Sequence, residues 1–403
     1  MGGEETLKIL HERAASRAAL VLAAGFLVLF VGGGARFAIG LTLKPLVEEF
    51  GWARGQLGLA VGLYLIVSAF STLIAGRLAD RMNARLLLGA GTIIGAIGIG
   101  LMSLVAAPWH AMLLYGLVFA IGSGAASFAT VGVMVTRAVS GRAGFANAVV
   151  ISGASVGQLI LIAVLAAVLV QIGWRSVFVW LAVAHLALIP LLLFALPASA
   201  QHQHAAATRE GLTLREAART RQFWLLLAIY AICGFDDFFV STHVVAFAQD
   251  RGVDTWLAGN LLALMGLTAL IGVLATGVFS DRSGPVLATS VAFGARILVF
   301  GLIALDQSPV SISIFALVFG ATFLVTAPLT VLFVRDSFGT KHLGALTGLI
   351  TMVHQIFGAI GAYGGALVFD STGSYDAAFV LALMASALAL VLTLMLRRSG
   401  RTR

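Results

Sequence analysis

Twelve long apolar segments, separated by short polar ones, dominate the sequence. Each is about 20 residues or more in length, as a membrane-spanning helix requires, and lacks the apolar–polar alternation of a barrel strand. In lipid, only helices and closed barrels satisfy the backbone hydrogen bonds. Because 60% of the 403 residues are hydrophobic and 10% are charged, a soluble domain could not bury this much apolar surface. The sequence therefore predicts an all-α membrane protein with twelve transmembrane helices.

The predicted spans form two sets of six. They are 18–42, 56–78, 86–106, 110–136, 145–170 and 175–196, then 223–248, 256–279, 286–305, 310–334, 344–369 and 375–396. The one long polar connection between the sets ends in a basic amphipathic run, 212–221, which we expect to lie at the membrane interface. We predict an N-terminal six-helix bundle (1–196), a cytoplasmic linker (197–222) and a C-terminal six-helix bundle (223–403).

Basic residues are shared unequally between the two sides of the predicted membrane. Nineteen of the 25 Lys and Arg fall in segments on one side, and only Lys44, Arg54, Arg175 and Arg251 fall on the other. The positive-inside rule makes the basic side cytoplasmic and places both termini there. We therefore expect a multi-pass protein of the cell inner membrane. Its net charge of +8 reflects topology and not a nucleic-acid partner.

A six-residue pattern occurs twice, once in each half. The segment Gly76-Arg77-Leu78-Ala79-Asp80-Arg81 recurs 201 residues later as Gly277-Val278-Phe279-Ser280-Asp281-Arg282. The same offset relates Gly157 to Gly358 and Phe178 to Phe379, which indicates an internal duplication. In such a loop glycine lets helices approach closely, Asp caps a helix N-terminus, and the arginines, including Arg85, bind headgroups or pair with the Asp.

These two loops resemble the signature loop of the major facilitator superfamily, and the resemblance covers essentially the whole chain. It implies two pseudo-symmetric six-helix bundles, a central cavity between them and alternating access. It also implies a role in the conformational switch for the loop residues Gly76, Asp80, Arg81, Arg85, Gly277, Asp281 and Arg282.

Four further stretches are similar to the monocarboxylate and oxalate/formate transporter branch of that superfamily. They are Leu43-Lys44-Pro45-Leu46-Val47-Glu48-Glu49-Phe50-Gly51-Trp52, Gly173-Trp174-Arg175, His354-Gln355 and Phe369-Asp370-Ser371-Thr372-Gly373-Ser374-Tyr375-Asp376. Members of that branch characteristically carry a substrate-binding arginine in helix 8. Here the predicted helix 8, 256–279, contains no charged residue, so the resemblance supports the wider branch rather than a lactate or oxalate assignment.

Four charged residues fall well inside predicted spans, away from the span ends: Arg36, Asp236, Asp237 and Arg296. Charge at membrane depth costs several kcal/mol unless it is paired or solvated. The repeat offset makes Arg36 equivalent to Asp237, so either Arg36 holds an anionic substrate while an Asp carries a coupling proton, or the two form a structural ion pair. Adjacent helical residues point about 100° apart, so one Asp can face Arg36 and the other Arg296. We expect Arg296, in a peripheral helix, to pair with an Asp inside its own bundle and to have a structural role instead of contacting the substrate.

Several uncharged polar residues are candidates for the cavity wall. His354 and Gln355 can hydrogen-bond a carboxylate or simply join two helices. His243 lies seven residues after Asp236 on the same helix face, where it either relays a proton or is interfacial. Tyr115 and Thr326 are candidate cavity hydroxyls.

Together these features predict a secondary active transporter that moves a small organic anion, a carboxylate, in symport with a proton. Arg36, His354, Gln355, Tyr115 and Thr326 are the predicted substrate contacts. The predicted proton-coupling residues are Asp236, Asp237 and His243. No spacing matches a catalytic nucleophile, a metal site or a phosphate loop, so we expect no enzyme activity, no cofactor and a monomer in the lipid bilayer.

Two alternatives stay open at this point. One is a cation or metal transporter that uses Asp236, Asp237, His243 and His354, which requires Asp236 and His354 to converge on one point of the cavity. The other is a sensor or assembly factor that has the same fold but does not transport.

Overall fold

The computed structural model describes residues 2–52, 54–139, 143–196, 210–253 and 255–399. These residues form helices and short connections, and the one β-type pairing among them is an isolated bridge between Gly211 and Gly339. The chain is thus an all-α protein, as the sequence predicts.

Twelve helices within the described residues are long and apolar enough to span a membrane, which confirms the predicted fold class. In chain order they are α1 (Ala18–Ile39), α2 (Leu59–Arg81), α3 (Ala84–Leu104), α4 (Pro108–Ala138), α5 (Ala143–Leu169), α6 (Gln171–Ala195), α7 (Arg221–Val244), α8 (Leu264–Ser283), α9 (Pro285–Leu305), α10 (Pro309–Phe338), α11 (Leu343–Phe369) and α12 (Asp376–Leu396). An even number of spans puts both ends of the chain on one side of the membrane, here called the terminal side. The opposite side is called the far side.

The turn between α5 and α6 depends on Gly173. Its backbone, at φ 72° and ψ 159°, lies in a region that only glycine adopts without strain. The side chains of the next two residues contact Glu49, which lies between α1 and α2. Trp174 Nε1 lies 2.7 Å from Glu49 Oε2, and Arg175 Nη2 lies 2.6 Å from Glu49 Oε1. The Gly-Trp-Arg motif therefore ties the α5–α6 turn to the α1–α2 connection on the far side.

Two helices, α4 and α10, are interrupted near their middles. In α4 a π-helical stretch, Met112–Phe119, is followed by a break at Ser127, whose backbone is extended. In α10 the helix stops at Phe323 and resumes at Thr326. The repeat offset places the two breaks within about four residues of one another. Irregular backbone at membrane depth is tolerated where it lines a polar cavity. Each half of the duplicated chain has one such break.

The first six and the last six helices meet along two seams on the terminal side. In one seam α2 packs on α11, and a Cβ at Gly76 would collide with the Gly344 carbonyl oxygen. In the other, α5 packs on α8, and a Cβ at Gly277 would collide with Ala148. Small residues allow this close approach of helix backbones. The two seams are equivalent under the repeat offset, so the sets are related by the predicted pseudo-symmetry.

The described end of the linker is attached to the last six helices. Leu212 N donates to Phe338 O at 2.8 Å, and Thr340 N donates to Glu210 O at 3.0 Å. A short helix, Leu214–Ala217, follows and begins with a capping box between Thr213 and Glu216. Residues 197–209 of the predicted linker lie outside the described residues, and the bundle boundaries at 196 and 223 stay a prediction.

Candidate functional site

A cavity of about 420 Å³ lies between the first six and the last six helices. Among the described residues, every helix except α9 and α12 contributes to its lining, and both helix breaks open onto it. Most of the lining is apolar, with a few polar groups at defined places, as is usual for a binding site for a small molecule. Arg36, Tyr115, Asp237, Thr326, His354 and Gln355 from the sequence analysis all face this cavity.

Arg36 reaches the cavity because α1 and α5 pack very closely. A Cβ at Gly33 would collide with the Ala154 backbone, and the carbonyl oxygen of Phe30 leaves no room for one at Gly157. The Arg36 backbone carbonyl also accepts a 2.6 Å hydrogen bond from the Tyr115 hydroxyl on α4. This bond therefore fixes the position of α1 relative to α4 at Arg36.

The Arg36 guanidinium lies among aromatic rings. Its Cζ is 5.8 Å from the ring centres of Phe37 and Tyr64 and 5.4 Å from that of Phe238. Phe238 belongs to α7, so the guanidinium lies near both sets of helices. No carboxylate in the described part of the chain is within ion-pair distance of Arg36. Tyr64 and Phe238 carried no sequence signal, because aromatic residues on apolar helices are usually core residues.

The structure pairs Asp237 with Arg296 and His354 instead of Arg36. Arg296 Nη2 donates to Asp237 Oδ1 at 2.6 Å, and His354 Nε2 lies 3.1 Å from Asp237 Oδ2. Arg296 is 1% exposed and also donates through Nε to Thr322 Oγ1 at 3.0 Å. The predicted Arg36–Asp237 partnership is absent because α9 turns Arg296 inward to the cavity-facing carboxylate of α7. Arg296 joins α7, α9 and α10 and does not line the cavity.

Asp236 points away from the cavity. Ser386 on α12 donates to Asp236 Oδ2 at 2.7 Å, and Arg296 Nη1 lies 3.9 Å from the same oxygen. The second oxygen, Oδ1, is buried and has no hydrogen-bond partner among the described residues. The two neighbouring carboxylates thus diverge as helix geometry requires, but both of them face Arg296.

His243 is separate from this cluster. Its Nδ1 lies 3.2 Å from the Tyr375 hydroxyl and its Nε2 lies 2.8 Å from the Ala362 carbonyl oxygen. Both ring nitrogens therefore hold α7 to α11 and to the start of α12, and the side chain does not line the cavity. His243 and Asp236 accordingly do not converge with His354.

A different trio has the spacing of a metal site. Ligand atoms of Cys233, Asp237 and His354 all lie within 4.8 Å of one another. Arg296 Nη1 lies 3.7 Å from Cys233 Sγ and its Nη2 bonds Asp237. A permanent positive charge at that distance opposes a bound cation, so this trio is better suited to holding a proton than a metal ion.

Gln355 forms a direct link between the two sets of helices. The Ser68 hydroxyl on α2 donates to Gln355 Oε1 at 2.8 Å. Thr326, at the α10 break, accepts a 3.0 Å hydrogen bond from the Tyr230 hydroxyl through its carbonyl oxygen. In contrast, four buried hydroxyls on the cavity wall have no partner within the described ranges: Thr72, Thr92, Ser127 and Thr347.

In the first signature loop, Asp80 caps a helix of the other set. Its carboxylate accepts from Gly344 N at 2.9 Å and Ala345 N at 2.8 Å, at the start of α11. Its cationic partner is Arg137 at 2.6 Å, not Arg81 or Arg85. Sequence reasoning missed Arg137 because it lies 57 residues away at the end of α4.

The second loop repeats the cap, and Asp281 has no ion pair among the described residues. Asp281 accepts from Gly144 N at 2.8 Å and Phe145 N at 2.9 Å, at the start of α5. Arg282 is exposed and forms no ion pair with any described carboxylate. Both caps confirm the predicted use of Asp at a helix N-terminus, and both join the two sets of helices on the terminal side.

Comparisons with known proteins agree with this architecture. The sequence profile described as Major Facilitator Superfamily matches residues 25–362. The chain is 26% identical over 367 residues to the uncharacterized MFS-type transporter YcxA of Bacillus subtilis (strain 168), covering 84% of this chain and 87% of that protein. It is 24% identical over 374 residues to monocarboxylate transporter 13 of Rattus norvegicus, covering 90% and 85%.

Among solved structures, the proton:xylose symporter XylE bound to 6-bromo-6-deoxy-D-glucose superposes with a TM-score of 0.74. The superposition covers 94% of this chain and 96% of that chain, at 14% sequence identity. At this level of identity the likeness concerns the fold.

Proposed function

The chain belongs to the Major Facilitator Superfamily, a family of membrane transporters and not of enzymes, and from that premise we propose that it carries a small organic anion across the membrane. The observation that carries the proposal is Arg36, a cation that lines the central cavity and has no carboxylate partner among the described residues. The buried arginine Arg296, in contrast, is engaged by Asp237 and Thr322.

An anionic substrate would compensate the charge of Arg36. A guanidinium binds a carboxylate through two parallel hydrogen bonds, which are stronger than neutral ones. The rings of Phe37, Tyr64 and Phe238 around Arg36 limit its access to water and offer an apolar surface for the body of the substrate. We therefore favour a monocarboxylate with an apolar body. The similarity to monocarboxylate transporter 13 supports the same class.

The cavity is suited to a small ligand with a few additional polar groups. Its volume of about 420 Å³ lies at the low end of the usual range for small-molecule sites. The hydroxyls of Thr72, Thr92, Ser127 and Thr347, which have no partner among the described residues, are in this proposal partners for oxygen atoms of the substrate. Because they come from α2, α3, α4 and α11, a single ligand that bonds to them would contact both sets of helices.

We assign the coupling proton to the pair formed by Asp237 and His354. They are the described Asp and His side chains that both line the cavity and contact each other. Protonation of Asp237 would weaken its ion pair with Arg296, so proton binding and the packing of α7 on α9 are linked. Asp236 lies behind Arg296, away from the cavity, and His243 remains a structural contact between helices in this proposal.

The proposed transport cycle is alternating access. In the present structure the described contacts between the two sets lie on the terminal side and at the cavity, through Asp80, Asp281 and Gln355. The far-side ion pairs Arg175–Glu49 and Arg251–Asp376 each join helices of one set. We propose that the terminal side is cytoplasmic, from its excess of basic residues, and that the protein works as a monomer in the inner membrane.

A second candidate function is transport of a divalent transition metal. The spacing of Cys233, Asp237 and His354 favours it, while the adjacent Arg296 opposes it. The same experiment separates the two candidates.

The test is ligand-induced thermal stabilisation of the purified protein, at two pH values, with a panel of monocarboxylates, sugars, amino acids and divalent metals. We expect stabilisation by a monocarboxylate, stronger at the lower pH, that is lost in Arg36→Ala and partly kept in Arg36→Lys. Arg175→Ala, which removes an exposed far-side arginine, is the matched control and should respond like the wild type. Stabilisation by metals alone, unchanged in Arg36→Ala, would refute the anion proposal. A positive ligand is then tested for uptake into proteoliposomes.

A further inference from the structure

A second, basic pocket of about 270 Å³ opens at the terminal side, apart from the central cavity. It lies where three parts of the chain meet. Arg77 and Arg81 come from the end of α2, Arg215 comes from the linker helix, and His342 lies just before α11. The two pockets share no lining residue.

The arginines of this pocket are exposed and are not neutralised by neighbouring carboxylates. None of Arg77, Arg81 and Arg215 forms an ion pair with a carboxylate that the structure describes. Asp80 lines the same pocket, but its carboxylate is already bound by Arg137 and by two backbone N–H groups of α11.

The other carboxylate near the pocket, Glu216, is also engaged. It accepts from the Thr213 backbone N at 2.7 Å and from the Thr213 hydroxyl at 2.8 Å. These bonds, with smaller contributions from Lys341 and Arg219, hold the pKa of Glu216 below its ordinary value. The pocket itself is lined by three arginines and one carboxylate, Asp80, so it keeps an excess of positive charge.

The internal repeat shows that the cap itself does not need Arg77. Asp281 makes the same cap as Asp80, although Val278 stands where the first loop has Arg77. Arg215 lines the pocket from the linker helix, outside the repeated loop. Arg77 and Arg215 are thus an addition to the capped loop, whereas Arg81 is repeated as Arg282.

We propose that this pocket binds a phosphate group and that the bound phosphate holds the two sets of helices together on the terminal side. Guanidinium groups bind phosphate oxygens through paired, charge-assisted hydrogen bonds. Arg77 and Arg81 belong to the first six helices, and His342 belongs to the last six. The linker helix with Arg215 is attached to the last six helices as well. A ligand held by both sides favours the state in which they are close, because it binds that state more tightly. A lipid headgroup and a soluble phosphate compound share this chemistry.

The experiment measures terminal-side closure without substrate, so its result does not depend on the proposed transport function. Spin labels are attached at Leu86→Cys and Leu287→Cys, exposed positions at the starts of α3 and α9 that are related by the repeat offset. Their distance distribution is recorded in nanodiscs of phosphatidylcholine, of phosphatidylcholine with phosphatidylglycerol, and of phosphatidylcholine with inorganic phosphate at constant ionic strength. Native mass spectrometry counts the phosphatidylglycerol molecules retained.

We expect the closed-to-open ratio to rise by roughly five-fold or more when phosphatidylglycerol or inorganic phosphate is added, because their phosphates carry net negative charge, whereas the phosphate of phosphatidylcholine is balanced by its own choline. Arg77→Gln/Arg215→Gln should lose this response and retain less phosphatidylglycerol. Arg282→Gln, which changes the second loop's counterpart of Arg81, should keep both. A response to phosphatidylglycerol alone identifies a lipid headgroup as the ligand, and a response to inorganic phosphate alone identifies a soluble compound. If the Arg77→Gln/Arg215→Gln protein responds and retains lipid like the wild type, or if neither source binds, the proposal is overturned.

Discussion

The Ser68 hydroxyl on α2 donates a 2.8 Å hydrogen bond to the side-chain oxygen of Gln355 on α11. This bond crosses from the first six helices to the last six, one residue away from His354, which contacts Asp237. The repeat offset places Ala269 and Ala154 at the equivalent positions of the α5–α8 seam. The α5–α8 seam cannot form such a bond at these positions, so we expect the Ser68–Gln355 bond to stabilise closure at the α2–α11 seam alone.

Ser68→Ala should therefore open the terminal side in a fraction of the molecules. A net contribution of about 1 kcal/mol per hydrogen bond corresponds to a change of roughly five-fold in the closed-to-open ratio. The distance between spin labels at positions 86 and 287 measures it. Ser71→Ala is the matched control, because the Ser71 hydroxyl donates to Ile121 O within the first six helices. Equal distance distributions for the two variants would show that the Ser68–Gln355 bond does not stabilise closure.

Arg296→Met should be among the most destabilising substitutions in the protein. It leaves Asp237 and Asp236, 3% and 0% exposed, without their cation, and breaking a buried ion pair on one side costs about 3–5 kcal/mol. The double variant Arg296→Met/Asp237→Asn should recover part of the lost stability, because the carboxylate that Arg296 neutralises is removed together with Arg296. Unfolding in mild detergent provides the measurement. Arg175→Met, in an exposed pair with Glu49, should cost no more than about 1 kcal/mol, and a similar cost for Arg296→Met would contradict the structural role assigned to Arg296.

The contact of Glu49 with Trp174 and Arg175 should be lost in acid. Hydrogen bonds from Arg175 and then from Trp174 lower the pKa of Glu49 from its ordinary value of 4.5. A carboxyl with a depressed pKa in the folded protein stabilises the fold above its unfolded-state pKa, and the stabilisation disappears as the pH falls through the folded-state pKa. We expect a change in Trp174 fluorescence below pH 4.5, read as the difference from a Trp174→Phe protein. Glu49→Gln should show no such change, and an identical acid transition in Glu49→Gln would assign it to another group.

The sequence was sufficient for features that depend on local pattern. Span length and hydrophobicity predict all twelve helices, and the repeated loop predicts that Asp80 and Asp281 cap helices. These conclusions need only the type of residue and its spacing along the chain. The offset of 201 residues brings the helix breaks at Ser127 and Leu324 to within four residues of each other, and neither break was predicted. Pro328 lies four residues after Leu324 and cannot donate the helical hydrogen bond to the Leu324 carbonyl oxygen, so a proline marks the second break, whereas no proline follows Ser127 in α4.

The pairing of charged residues could not be read from the sequence. Whether Asp237 meets Arg36 or Arg296 depends on the rotation of α9 about its axis and on its packing against α7, and neither leaves a local pattern. The same limit hid Arg137 as the partner of Asp80, since the two lie on different helices and meet only after α2 and α4 have packed. Pseudo-symmetry was misleading here, because equivalent positions such as 36 and 237 need not contact each other.

Gly234 should be essential for the contact between Asp237 and His354. It lies on α7 one turn before Asp237, and a Cβ at this position would collide with the backbone carbonyl oxygen of His354. Gly234→Ala must push α7 away from α11, because the clash is with backbone atoms, which cannot move aside by a change of rotamer as a side chain can. We expect a loss of about 1–3 kcal/mol of stability, the usual cost of overpacking, measured by unfolding in detergent.

Gly294→Ala is the matched control: nothing lies near its new Cβ, so alanine's helix propensity should stabilise α9 by up to about 1 kcal/mol. If Gly234→Ala is as stable as Gly294→Ala, then α7 and α11 are not held at the separation that brings His354 to Asp237, and the proton-coupling role proposed for this pair loses its structural basis.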